Sequence, residues 1–144
     1  MANPNDLTTF LASVSLFSGL NKRHLNQLSR RFIPRSYKAG DAIVTQGKGG
    51  EGMFTIVSGS AEAILESADG DKIVVNTFGP GDFFGEVAML DDGPRTASVI
   101  ATQQTECLVL TRADFISVMH NDGEMATEIA LALARRLRRT VSTL

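Results

Sequence analysis

Between Phe32 and Leu110 the apolar residues fall into runs too short for helices: DAIV, MFTIV, KIVV, ASVIA and CLVL, separated by Gly, Asp and Pro. β-Branched residues dominate these runs, and the residues between them are those that turns require. AEAILE and KIVVNTF flank the segment ADGDK, whose Asp69-Gly70 pair supplies the positive φ of a tight hairpin. Many short antiparallel strands joined by Gly-rich turns predict a jelly-roll or barrel.

Helical periodicity flanks this region on both sides. Leu7, Phe10, Leu11 and Val14, then Leu25 and Leu28, recur at helical spacing with a break at FSGL around Gly19, which predicts two short N-terminal helices. Thr111 with Asp114 has the form of a capping box opening RADFISVMH, and Asn121-Asp122-Gly123 separates that helix from a last one, EMATEIALALARRLRRTVSTL. The expected fold is mixed α+β: N-terminal helices over 1–31, an antiparallel β jelly-roll barrel over 32–110 and C-terminal helices over 111–144. With 144 residues, 43% of them hydrophobic, the chain suits one core, and a single domain over 1–144 is expected.

Charge and inventory remove several functions. Fourteen Lys and Arg stand against sixteen Asp and Glu, so no global positive field attracts nucleic acid or an anionic membrane. The amino terminus MANPNDLTTF lacks a signal-peptide pattern, the one cysteine cannot form an internal disulfide, and no apolar run approaches the ~20 residues of a membrane span. A cytoplasmic protein is expected. Metal catalysis in a jelly-roll needs clustered His and carboxylates, whereas His24 and His120 both fall on expected helices, so neither metal nor cofactor is expected. Cys107 lies in a strand-like run without a histidine partner and reads as a buried structural thiol. Phe54, Phe78, Phe83 and Phe84 read as core. GKGGEG lacks the Gly-Lys-Ser/Thr ending of a phosphate loop and reads as a turn, and Asp91 and Asp92 read as shaping the bend at Gly93-Pro94. Nothing in this inventory makes an enzyme.

Glu86 and Arg95 stand out in FGEVAMLDDGPRTASVIA, because an ionised group at the edge of an apolar barrel is costly without a partner. An internal Glu86–Arg95 pair is one answer. The other is a ligand. Gly85 permits close backbone approach, EVAML forms one helical turn with free N–H groups, and Arg95 and Thr96 add a donor fork and a hydroxyl, which together suit a phosphate. A carboxylate at Glu86 repels phosphate and suits neighbouring sugar hydroxyls, so the pair points to a nucleotide.

FGEVAML followed by PRTASVIA resembles the phosphate-binding cassette of the cyclic nucleotide-binding domain family, which includes kinase regulatory subunits, gated channels and catabolite-activator-type transcription factors. The resemblance extends to LFSGL, YKAGDAIVTQGKGGEGMFTIVSGSAEAI, FGPGDFFGE and ALARRLRR, nearly the whole chain. It implies that Glu86 holds the ribose 2′-hydroxyl, that Arg95 holds the cyclic phosphate, and that Phe84, Gly85, Val87, Ala88, Thr96 and Ala97 complete a cassette over 84–97. It further implies a last helix that closes over the base, with Arg136 and Thr140 among its ligand contacts. Thr96 resembles the threonine of cGMP-selective kinase domains; Thr140 resembles the adenine-reading threonine of catabolite-activator-type proteins, followed here by Val141 where a serine is usual. The expected function is therefore a non-catalytic sensor of cAMP, or less favourably cGMP, signalling through its last helix. Met125, Ile129, Ala132, Leu133 and Leu137 form a stripe on that helix suited to the barrel or to a homodimer. The cluster Arg135, Arg136, Arg138 and Arg139 reads as complementing the helix dipole rather than contacting nucleic acid. The competing expectations are a ligand-independent structural or dimerisation domain of this fold, and the sensor half of a larger regulator, channel or enzyme.

Overall fold

The computed structural model describes residues 4–49, 51–91 and 93–142, with the side chains of 4–6, 140 and 142 outside that description. It resolves into two compact units, Phe32–Ala113 and the pair of end segments Met1–Arg31 with Asp114–Leu144.

The first unit is two antiparallel four-stranded sheets. Strands β1 (Ile33–Tyr37), β8 (Thr105–Thr111), β3 (Gly52–Ser58) and β6 (Phe83–Phe84) lie in that order in one sheet; β2 (Ala42–Val44), β7 (Ser98–Ala101), β4 (Ala61–Glu66) and β5 (Lys72–Phe78) form the other. The two sheets share no ladder among the described residues, so the roll is not the closed barrel expected from the strand pattern. Edge strands of two and three residues, β6 and β2, offer too few backbone groups to join one sheet to the other.

Register places both side chains of alternate cross-strand pairs on the inner face. Phe54 lies opposite both Val109 and Phe84, and Ala63 lies opposite Val99, so every second residue of these strands enters one core with Ile43, Val44, Ile56 and Cys107. Phe54 and Phe84 stack at 5.3 Å between ring centroids, and Phe78 tilts onto Phe84 at 4.9 Å. Phe83 and Phe78 are only half-buried, so the expected all-core phenylalanine set is divided. Gly52 permits the closest strand approach: a Cβ there would stand 2.1 Å from the Leu110 carbonyl oxygen. On the outer edge, β5 leaves Ile73, Val74 and Val75 exposed, Ile73 to 61%.

The second unit contains α1 (Pro4–Ala12), a 3-10 turn at Ser15–Phe17, α2 (Lys22–Ser29), α3 (Arg112–Asn121) from Asp114 onward, and α4 (Gly123–Ser142). A reciprocal cap opens α2: the Asn21 side chain accepts from the His24 amide at 2.9 Å, and His24 Nδ1 accepts from the Asn21 amide at 3.3 Å. The buried His24 ring, Arg23 and Asp122 meet at the start of α4, where the Met125 amide donates to Asp122; that bond first, then the His24 and Arg23 charges, hold the Asp122 carboxyl below its ordinary range. Phe17 tilts against Phe115 at 6.2 Å. The stripe expected along α4 divides. Met125, Ile129 and Ala132 are buried, whereas Leu137 is 65% exposed, together with Leu131 and Val141.

Cys107 is buried, as expected of a structural thiol, and desolvation, with the Glu106 carboxylate adding to it, pushes its ionisation up to about 11. Its elevated value leaves stability unaffected below the ordinary thiol range and removes it as pH rises from that range toward 11. Iodoacetamide should therefore alkylate the native chain far more slowly than the urea-unfolded chain at pH ~8. Urea melts between pH ~8 and ~11 should show a steeper alkaline loss in wild type than in Cys107→Ala; equal slopes would exclude this thiol as the titrating group.

Candidate functional site

Strand β6 ends at Phe84, and the chain turns there through Gly85 at φ +84° into a 3-10 turn, Glu86–Met89. An L side chain is strained in that conformation, and here space forbids one as well: a Cβ on Gly85 would stand 2.5 Å from the Gly52 carbonyl oxygen and 2.7 Å from Arg95 Nη1. Gly85 is therefore the residue that lets the guanidinium lie against the turn. Asp91 closes the following bend, its carboxylate accepting from the Gly93 amide at 3.0 Å. Asp92, expected to share that role, lies outside the described residues.

Arg95 is held by a loop distant in sequence. Its amide donates to the Lys48 carbonyl at 2.9 Å, its carbonyl accepts from the Gly47 amide at 2.8 Å, and Nη2 donates to the Gly52 carbonyl at 2.9 Å. The guanidinium is half-buried. Desolvation lowers its ionisation while the Glu51 carboxylate raises it, and an arginine so placed keeps its charge. Among the described residues Nε is buried with no hydrogen-bond partner, an unmet donor on a charged group.

These elements face a cavity of about 300 Å³. Phe84, Gly85, Val87 and Ala88 line it from the β6 side, and Arg95, Thr96 and Ala97 from the approach to β7. Val44, Ala63, Phe78 and Val99 supply an apolar wall drawn from β2, β4, β5 and β7. Glu86 is half-buried in the turn and, alone among the cassette residues expected to contact a ligand, does not line the cavity. Arg136 is half-buried on α4 in the helical unit, and the Thr140 side chain lies outside the described residues. Sequence reasoning missed the wall: Ala63 and Val99 follow the inward alternation of their strands, which marks a core but not a core that opens. It also missed Glu51 and Gly52, hidden in a segment read only as a turn.

Chemically, the cavity combines an apolar wall with, among the described residues, one partly desolvated cation whose donors are incompletely used. That combination suits an anionic ligand with an aromatic or sugar body. Among the described residues no cluster of His, Cys, Asp and Glu is arranged to hold a metal, and no helix is long and apolar enough to cross a membrane.

Comparison with known proteins gives consistent relatives. Residues 34–122 match the family model described as the cyclic nucleotide-binding domain. The cyclic AMP receptor protein of Thermus thermophilus is 34% identical over 123 residues, 85% of this chain and 57% of that protein. A cAMP-dependent protein kinase regulatory subunit of Dictyostelium discoideum is 35% identical over 109 residues, 74% of this chain and 33% of that one. Among solved structures, the N-terminal domain of a transcriptional regulator from Streptomyces coelicolor superimposes with a TM-score of 0.86 at 27% identity, covering 94% of both chains. The chain thus spans little more than half the length of the Thermus protein.

Gly85→Ala should destabilise the fold by about 1–2 kcal/mol from backbone strain alone, and by more once the guanidinium is displaced. Thermal denaturation measures the loss. A variant as stable as wild type would mean that Arg95 does not occupy this position against the turn.

Proposed function

Because the chain belongs to the cyclic nucleotide-binding domain family, we propose that it is a non-catalytic sensor that binds cAMP in the cavity beside Arg95 and signals through its last helix. The observation that carries this reading is the Arg95 guanidinium, desolvated at the cavity wall with an unmet Nε donor. A cyclic phosphate is a compact monoanion, and its oxygens complete the hydrogen bonding of such a fork. Thr96, also on the wall, adds a hydroxyl. The sugar hydroxyl is assigned to Glu86 and the purine to the apolar wall of Val44, Phe78 and Val99, against which a planar ring packs without polar demands.

Relatives named for cAMP support adenine. One observation favours guanine as a second reading: Thr96 lines the cavity and is exposed, so its hydroxyl is available to a base amino group. In the cAMP reading Thr140 and Arg136 contact the ligand from α4. Ligand capture changes an output only if it favours one conformation, and α4 is the element assigned to that role. Its exposed Leu131, Leu137 and Val141 suit a homodimer contact. The names of the relatives, a receptor protein and a kinase regulatory subunit, support a binding role over catalysis, and a cytoplasmic setting is part of the same proposal.

Calorimetry with cAMP and cGMP tests the assignment. Wild type should bind cAMP more tightly than cGMP; the reverse order transfers base reading to Thr96. Arg95→Ala, shown folded by circular dichroism, should lose about 1.5–3 kcal/mol of binding, and Arg95→Lys should recover only part. Unchanged affinity in folded Arg95→Ala removes the phosphate assignment.

Glu86 is tested separately. Replacing cAMP by its 2′-deoxy analogue and replacing Glu86 by Gln remove one shared contact, so the two losses should be far from additive. Strict additivity would assign the sugar hydroxyl elsewhere.

A further inference from the structure

A second cavity, of about 220 Å³, opens between β1, β2 and the start of β3, and shares only Val44 with the first. Its floor is apolar and buried, formed by Ile43, Val44 and Phe54. Its rim is polar: the Tyr37 phenol, the Thr45 hydroxyl, the Lys48 ammonium and the Glu51 carboxylate. These rim charges are not balanced alike. Glu51 faces Arg35 at 3.5 Å, whereas among the described residues no carboxylate pairs with Lys48. The Tyr37 and Thr45 hydroxyls make no hydrogen bond among those residues either. Burial, with Cys107 and Glu51 adding, raises the Tyr37 ionisation, so the phenol stays neutral and can donate.

We propose that this cavity binds a small carboxylate carried on a compact aliphatic or aromatic body, the carboxylate meeting Lys48 and the body resting on Phe54 and Ile43. Lys48 supplies the charge, Tyr37 and Thr45 supply donors, and the apolar floor supplies the area a bare inorganic anion would not use. The site acts on the first cavity through the backbone. Lys48 accepts the Arg95 amide and Gly47 donates to the Arg95 carbonyl, so a ligand that draws Lys48 inward shifts the loop holding the guanidinium. Coupling of the two sites is reciprocal in affinity, and this part rests on the first cavity being a cyclic nucleotide site.

The chain carries its own reporter, because Tyr37 is its one tyrosine and it has no tryptophan. Cyclohexanecarboxylate, transparent where tyrosine absorbs, should change the fluorescence of the full chain saturably, with a Kd on the order of 1 mM. Lys48→Gln, a change at an exposed side chain, should weaken this at least about tenfold, the scale of one lost charged contact. Cyclohexanol and cyclohexylmethylamine should give no saturable change. An absent or unsaturable response, an undiminished response in Lys48→Gln, or an equal response to the amine overturns the proposal. Saturating probe should then shift cAMP affinity about fivefold or more, and cAMP should shift probe affinity by the same factor. Unchanged cAMP affinity with a positive Tyr37 titration removes the coupling and leaves the site. A wild-type chain that binds no cyclic nucleotide removes the functional reading instead, and the Tyr37 titration still decides the second cavity.

Discussion

A guanidinium withdrawn from water has to be satisfied by something, and around Arg95 the chain answers with backbone rather than with a close carboxylate. One carbonyl of β3 takes Nη2, and the 47–48 segment takes both main-chain groups of Arg95. Much of the local sequence then follows. Gly85 lacks a Cβ because the guanidinium and the Gly52 carbonyl occupy its place. Gly52 in turn lacks one because β8 runs too close. The carbonyl that Arg95 needs is thereby fixed by a strand pair, the most rigid element available, and Glu51 adds favourable charge from the same segment. A charged group held in this way loses little entropy when an anion arrives.

The strand pattern carried most of the fold. DAIV, MFTIV, KIVV, ASVIA and CLVL each fall within or upon a strand, and the Asp69-Gly70 hairpin joins β4 to β5. Two strands were illegible for physical reasons. β1, with the sequence IPRSY, lies at a sheet edge with its residues mostly exposed, so it needs no apolar alternation and tolerates a proline. β6 is two phenylalanines long and has no period at all. Closure of the roll was over-read, because strand count in a sequence says nothing about whether two edges meet.

The candidate site was legible where one local stretch supplies its chemistry, and not where the fold assembles it from afar. Gly85, Arg95, Thr96 and Ala97 announce themselves within a dozen residues, and all of them line the cavity. Gly52 contributes a carbonyl, a group every residue owns, so no side-chain pattern marks it. The α4 stripe shows the opposite failure. Periodicity predicts that a face is apolar, while Leu137 shows that an apolar face need not be covered within its own unit.

The outer edge of β5 has a consequence for the protein as a material. Among the described residues its backbone is paired on one side only, and Ile73, Val74 and Val75 are exposed on it with Lys72 as the single charge in the strand. Such an edge accepts another of its kind, and bulges or flanking charges are the usual protection. The one bulge between β4 and β5 falls in β5 itself, where Val75 is the extra residue between Asn76, opposite Ala63, and Val74, opposite Ile64. Self-association in concentrated solution will therefore start at a short apolar ribbon guarded by one bulge and one lysine, and a lysine placed at the exposed Ile73 would improve solubility while leaving Phe78, the residue of β5 that lines the first cavity, in place.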